Sequence, residues 1–184
     1  MSPILGIWAS QISGHLWAPA GAYDALGTLT LSANATSVTI SGIPTGYKHL
    51  QIRANVLTSH PNNDLGVRFN DDSAGNYNTH TLYGSGSVAG SLAISNSTFL
   101  GAAFSQPSDY PGSFVMDVLD YSSSNKFKTT RSLWGHDRNG GSGYVGLYSG
   151  AWRSTSTITS ITFYNTFSGS TINTNTQFAL YGVK

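Results

Sequence analysis

A glycan hydrolase working through paired carboxylates needs two acids facing each other across the substrate. This chain has eight acids, all aspartates: Asp24, Asp64, Asp71, Asp72, Asp109, Asp117, Asp120 and Asp137. Asp117 and Asp120 share the apolar stretch SFVMDVLDY, but an odd spacing sends them to opposite faces of an extended chain. Asp117, between Met116 and Val118, reads as a half-buried structural acid that could pair with Arg131 or Lys128 of the next strand. A serine nucleophile on a strand-to-helix elbow needs Gly-x-Ser-x-Gly. The nearest match, GLYSG at 146–150, places Ser149 one position late, with no helix after it. GSGSVAG lacks the lysine and the helix of a phosphate-cradling loop. The histidines, His15, His49, His60, His80 and His136, show no metal-site spacing. His49 and His136 fall on expected strands, His60 and His80 near expected loops, and all five read as hydrogen-bonding surface or half-buried side chains. NDDSAGNY at 70–77 offers Asn70, Asp71, Asp72 and Asn76, the oxygen ligands that Ca²⁺ takes, but without the twelve-residue loop or a closing Glu. An Asx-rich turn explains it. No catalytic residue, metal ligand set or cofactor is assigned, and the chain reads as a non-enzyme.

The aromatic residues carry the remaining binding signal. In GYVGLYSGAW, Tyr144, Tyr148 and Trp152 share one parity with Gly146 and Gly150, while Val145, Leu147 and Ala151 share the other. Trp134 belongs to the neighbouring expected strand. Aromatics along a sheet face can stack on sugar rings, which would make a host-surface glycan a partner. They can also bury against a protein, or cover strand glycines inside a sandwich. Core or subunit packing is the first reading for Trp134, Tyr144, Tyr148 and Trp152, and surface or glycan contact the second.

Positioning such residues takes strands. In YKHLQIRANV (47–56), Tyr47, His49, Gln51, Arg53 and Asn55 alternate with Lys48, Leu50, Ile52, Ala54 and Val56, the period of a half-buried strand. Similar runs recur at 23–31, 36–42, 65–70, 113–121, 126–137, 143–152, 158–167 and 177–184, separated by IPTGY, HPNND, SSSN and DRNGGSG. The segment from Thr79 to Pro111 reads as a flexible Gly/Ser loop followed by a Pro-containing loop, with at most a short strand near Leu92 to Ile94. The pattern predicts an all-β chain: one antiparallel, jelly-roll-like β-sandwich over 23–184.

The 184 residues suffice for one domain with a real core. Charged residues are 9% where about 25% is usual, and the net charge is +1. That balance gives no broad attraction to nucleic acid or anionic lipid. Lys48 and Arg53, and Lys126, Lys128 and Arg131, read as solvated strand positions. Absence of cysteine excludes disulfides and thiolate metal sites. The apolar opening has no Lys or Arg, unlike a secretory signal, and no apolar run is long enough for membrane insertion. A surface of Ser, Thr, Asn and Gly repels neighbours weakly and suits a chain packed among many copies.

Residues 1–22 differ from the rest. Ile4, Leu5, Ile7, Trp8, Ile12, Leu16 and Trp17 load an extended N-terminal arm with apolar side chains that it cannot bury alone. Docking on a neighbouring subunit is the expectation, against the alternative of a first strand or short helix of the same domain.

The phrases SPILGI, YKHLQIR, RFNDDSAGNYNTHTLYG, FVMDVLDYSSSNKFKTTRSLWG, GLYSGAW, ITSITFY and FALYGVK, taken together, resemble small β-rich virion proteins of tailed bacteriophages. The resemblance spans the chain from arm to last residue and brings no catalytic signature. It implies a structural component located in the virion, with other virion proteins as partners and a homo-oligomeric state, a trimer being favoured. A peripheral tail module, associated with fibre or baseplate, is the first expectation. A capsid decoration protein is the second, and a free lectin-like carbohydrate-binding module the third.

Overall fold

The computed structural model describes residues 21–60, 63–104, 109–137 and 143–184. The strands among these residues are β1 (Tyr23–Thr30), β2 (Ser37–Ser41), β3 (His49–Val56), β4 (Asp64–Phe69), β5 (Tyr77–Gly84) and β6 (Ala89–Ser97), followed by β7 (Leu100–Phe104), β8 (Gly112–Leu119), β9 (Lys128–Asp137), β10 (Gly143–Trp152), β11 (Ser160–Asn165) and β12 (Gln177–Val183). They form two antiparallel sheets, a large one of order β1-β12-β3-β8-β9-β10-β5-β6 and a small one of order β2-β11-β4-β7. The chain passes repeatedly from one sheet to the other, and the expected all-β sandwich is what the chain forms. No helix among the described residues is long and apolar enough to cross a membrane. Arm residues 1–20, and with them Ile4, Leu5, Ile7, Trp8, Ile12, Leu16 and Trp17, lie outside the described residues.

Alternation drives the sheets together. β8 and β9 bury every second residue, and Leu50 and Ile52 of β3 are fully buried. Facing them from the small sheet are Leu65, Val67 and Phe69 of β4 and Ile161 and Phe163 of β11. Phe163 stacks on Phe178 of β12 with centroids 4.6 Å apart, tying the two layers at the centre. Removing this apolar area from water, at about 25 cal/mol per Å², is the main term favouring the fold.

Two expectations need correction. The segment from Thr79 onward is no loop: β5 and β6 form a long hairpin that flanks the large sheet, and β7 is an edge of the small one. His80 accordingly sits within a strand rather than near a loop. Nor is Lys128 solvated. It is fully buried, and its ammonium group donates to the carbonyls of Ser123, Lys126 (3.0 Å) and Thr155 (3.2 Å). Parity explains it: Lys128 shares the inward face of β9 with Thr130, Ser132 and Trp134. Burial holds its amine below the usual lysine range, while the charge of Asp120 pulls the other way.

The NDDSAGNY segment is an Asx-rich turn. Asn70 and Asp71 take the left-handed backbone (φ 52° and 58°), which Asn and Asp tolerate best after Gly. Asp72 accepts hydrogen bonds from the Ala74 amide (2.9 Å), the Asn76 side chain (2.9 Å) and the buried Trp152 indole (2.7 Å). Burial raises the Asp72 pKa, but bonds from Asn76, Trp152 and Ala74 outweigh it and leave the carboxyl below its ordinary value. A depressed acid stabilises the fold above its unfolded pKa and loses that contribution as pH falls through the folded value. Asp72→Ala leaves the Trp152 donor buried without a partner. We expect it to cost about 1–3 kcal/mol in urea unfolding at pH 7. The deficit relative to wild type should shrink below pH 4.

Candidate interaction surface

The two sheets present different outer faces. On the small sheet, Thr39 and Thr162 are cross-strand neighbours joined by a 2.9 Å hydrogen bond. Arg68 follows Thr162 in register and lies over the Tyr164 ring at 4.6 Å. That face is polar. On the large sheet, strand register aligns Val115 of β8, Leu133 of β9, Leu147 of β10 and Leu82 of β5 in one row across four adjacent strands. All four point outward and are exposed, Leu133 by 61% and Leu82 by 60%; Val145 beside them is 58% exposed. Isolated surface leucines need no explanation, but a contiguous row on one sheet face does. A shallow trough of about 730 Å³ runs along this face past Arg53, Asn55, Val115, Leu133, Val145 and Ala179.

The next row of the same face is polar and carries both charge signs. Tyr181, Gln51, Asp117, Arg131, Ser149 and His80 follow one another in register. Asp117 is half-buried as expected, but the side chain bonded to it is neither Arg131 nor Lys128. The Gln51 amide donates to it at 2.8 Å, and Arg53 Nε donates to Gln51 Oε1 at 2.8 Å. The Arg53 guanidinium lies 4.8 Å from the Tyr181 centroid and 5.5 Å from that of Tyr23. The polar positions of YKHLQIRANV thus organise one another, and Lys128 is drawn away because it belongs to the core side.

The aromatic residues, for which core or subunit packing is the first reading and surface or glycan contact the second, face the core. Trp134, Tyr148 and Trp152 are 4%, 5% and 2% exposed, and Tyr144 is half-buried, so they form no open platform for a sugar ring. The physical reason is the glycines. A Cβ on Gly146 would stand 2.3 Å from the Trp134 ring, and one on Gly101 would stand 3.0 Å from the Tyr148 ring. Missing side chains there admit the rings between the sheets, which is the glycine-covering role weighed for them. Tyr148 stacks on Trp134 (5.6 Å) and its hydroxyl donates to Asp64, while Trp152 stacks on Tyr77 (6.3 Å). With the rings inside, Val145 and Leu147 are left outside. Leu82, Leu133 and Val115, which complete the row, were not singled out by sequence reasoning; only for Val115, on a strand whose inward face is already filled by Phe114, Met116 and Val118, was the outward apolar parity a signal.

No protein-family model matches the chain, and no curated protein does. Among solved structures, the Caenorhabditis elegans galectin LEC-6 is similar at 10% identity, over 85% of this chain and 95% of that one, with a TM-score of 0.31. An aerolysin-like protein of Bombina maxima is similar at 8% identity, over 84% and 86%, with a TM-score of 0.13. At such scores neither likeness bears on function. The described side chains hold no group of three or more His, Cys, Asp or Glu placed to bind a metal ion. His49 Nδ1 accepts from the Asp120 amide (3.0 Å), and the His60 ring stacks on Phe167 at 3.7 Å.

Proposed function

We propose that this chain is a non-enzymatic structural protein of a bacteriophage particle: a homo-oligomeric, peripheral tail module, associated with fibre or baseplate. It docks on other virion proteins and presents a surface toward the host. The observation that carries the reading is the row Val115, Leu133, Leu147 and Leu82 on the outer face of the large sheet. Its occupant is a second copy of the chain. The row is uncharged, and the adjacent row sets Asp117 directly beside Arg131, so a symmetric or ring-forming contact can match acid to base. Covering what remains exposed of each side chain contributes about 1 kcal/mol by area. The low charge content and the resemblance of the quoted phrases to tailed-phage virion proteins support the same reading.

The apolar arm supplies the link to the rest of the particle. Deleting residues 2–17 should leave the isolated sandwich folded and self-associated while lowering its occupancy in particles at least tenfold, measured by quantitative immunoblotting of purified virions. Wild-type occupancy of the truncated chain would refute arm docking. Locating the retained protein by electron microscopy separates a tail position from capsid decoration.

A further inference from the structure

The small sheet ends at β7, which packs over β10, β9, β8 and β5 of the large one. Beside that edge lies a cavity of about 290 Å³. Six rings border it: Tyr83, Phe99, Phe104, Trp134, Tyr144 and Tyr148. Neighbouring ring centres stand 5.4 Å apart for Phe104 and Tyr144, 5.6 Å for Trp134 and Tyr148, and 6.3 Å for Tyr83 and Tyr144. Leu92 and Ile94 of β6 stand at the flank, and Leu92 is 56% exposed, so the cavity is reached from the surface there. Among the described residues of the lining, Asp64 is the one charged side chain.

Asp64 opens β4 and is held in place at its backbone. Its carbonyl oxygen accepts from the Thr166 amide (3.1 Å) and the Thr166 hydroxyl (3.0 Å). In the side chain, Oδ1 accepts from the Tyr148 hydroxyl. Oδ2 accepts no hydrogen bond among the described residues, and it is not sealed within the packing. Burial pushes the carboxyl above its ordinary pKa range, and the bond from Tyr148 offsets only part of that. One oxygen therefore has a neutral donor, and no described cation forms an ion pair with the other. A carboxylate taken out of water without a counter-charge is costly, and a ligand of opposite sign relieves the cost.

We propose that this cavity binds a small organic cation bearing a trimethylammonium group, with Asp64 as its counter-charge. The sign follows from the lining. A carboxylate repels anions and attracts cations, and aromatic rings attract a cation within about 6 Å of their centres. In so small a space an occupant lies within reach of several rings. The headgroup follows from hydrogen bonding. A primary ammonium is strongly hydrated and brings three donors, whereas this lining is mostly carbon. A trimethylammonium brings none, so no donor is stranded. An inorganic cation fits worse: the described residues place no three His, Cys, Asp or Glu side chains to hold one, and a single carboxylate does not replace the oxygen shell of Ca²⁺. Size follows from volume. An apolar cavity of about 150 Å³ holds a benzene ring, and this one, about twice as large, holds the headgroup and a short tail. The site lies on the core side of the large sheet and is independent of the outer row.

The test uses the full chain at neutral pH and constant ionic strength. Its probes are choline and the neutral isostere 3,3-dimethylbutan-1-ol, in which carbon replaces the nitrogen. The methyl protons of choline should move upfield in proton NMR as the rings enclose them. Choline should bind at least tenfold more tightly than the alcohol, and ammonium chloride exchanged for sodium chloride should not displace it. Asp64→Asn keeps the side-chain shape and removes the charge. It should weaken choline binding at least tenfold while leaving the affinity for the alcohol unchanged. A methyl signal unmoved by the protein at millimolar choline, equal affinity for the two probes, displacement by ammonium, or full choline affinity in Asp64→Asn would overturn the proposal. The first three readings come from the wild-type chain and stand whether or not the variant folds.

Discussion

On the proposed self-association through the outer row, Leu133→Glu combined with Leu147→Glu should weaken the association constant at least a hundredfold in sedimentation equilibrium. Both side chains are exposed, at 61% and 39%, and they face each other across adjacent strands in the middle of the outer row. Two carboxylates placed there on every copy would meet apolar surface and one another. A few central positions of an interface cost about 2 kcal/mol or more when disrupted, burying a carboxylate against apolar surface is costlier than truncation, and every 1.4 kcal/mol is a factor of ten. The monomer should keep its urea midpoint, since substitutions at exposed positions move stability by about 0.5 kcal/mol or less. Thr39→Glu with Thr162→Glu, on the polar outer face of the small sheet, is the control and should leave association unchanged.

Lys128→Met should produce the largest loss of fold stability by a single substitution, on the order of 3–5 kcal/mol in urea unfolding. Methionine matches the volume of the lysine stem but cannot donate. Three carbonyls, on Ser123, Lys126 and Thr155, then lose their shared donor at a part-buried site, although the lysine itself is fully buried. Hydrogen bonds from a charged group contribute about 1.5–3 kcal/mol each, and stranding their acceptors adds to the cost. Those bonds gather the 122–126 turn and the chain after β10 at one end of the sandwich. Lys126→Met is the informative contrast. Lys126 is exposed, its side chain two-thirds so, and it pairs with Asp120 at 3.0 Å in water, where such pairs contribute about 1 kcal/mol or less.

Strand positions were legible wherever one face is apolar and the other polar. β8, β9 and β12 alternate in burial, β3 alternates in residue type, and the bounds of all four follow the quoted runs to within a few residues. The β5–β6 hairpin was not legible. The inward residues of β5 between Tyr77 and Tyr83 are Thr79 and Thr81, which hide the alternation behind polar side chains. β6 is a flanking edge strand of Gly, Ser and Ala exposed along much of its length, so its order comes from pairing with β5 rather than from its own side chains. The candidate surface was half legible. In GYVGLYSGAW both parities are apolar, and alternation alone cannot say which faces in. Glycines decide it: Gly146 beside Trp134 in the same sheet and Gly101 on the facing sheet make room for Trp134 and Tyr148, so the aromatic parity turns inward and Val145 and Leu147 turn outward. Lys128 shows the same limit, because a charged residue on the core parity looks solvated until the carbonyls around it are seen.

The absence of cysteine gives the outer row a clean reporter. Leu133→Cys introduces a single thiol at the centre of the row, and Thr39→Cys introduces one on the opposite outer face. The rate of maleimide labelling, compared between dissociated chains and the assembled protein, measures directly whether that face is covered. The account predicts that assembly slows labelling at position 133 at least tenfold and leaves position 39 unchanged; equal rates at position 133 in the two states would contradict it.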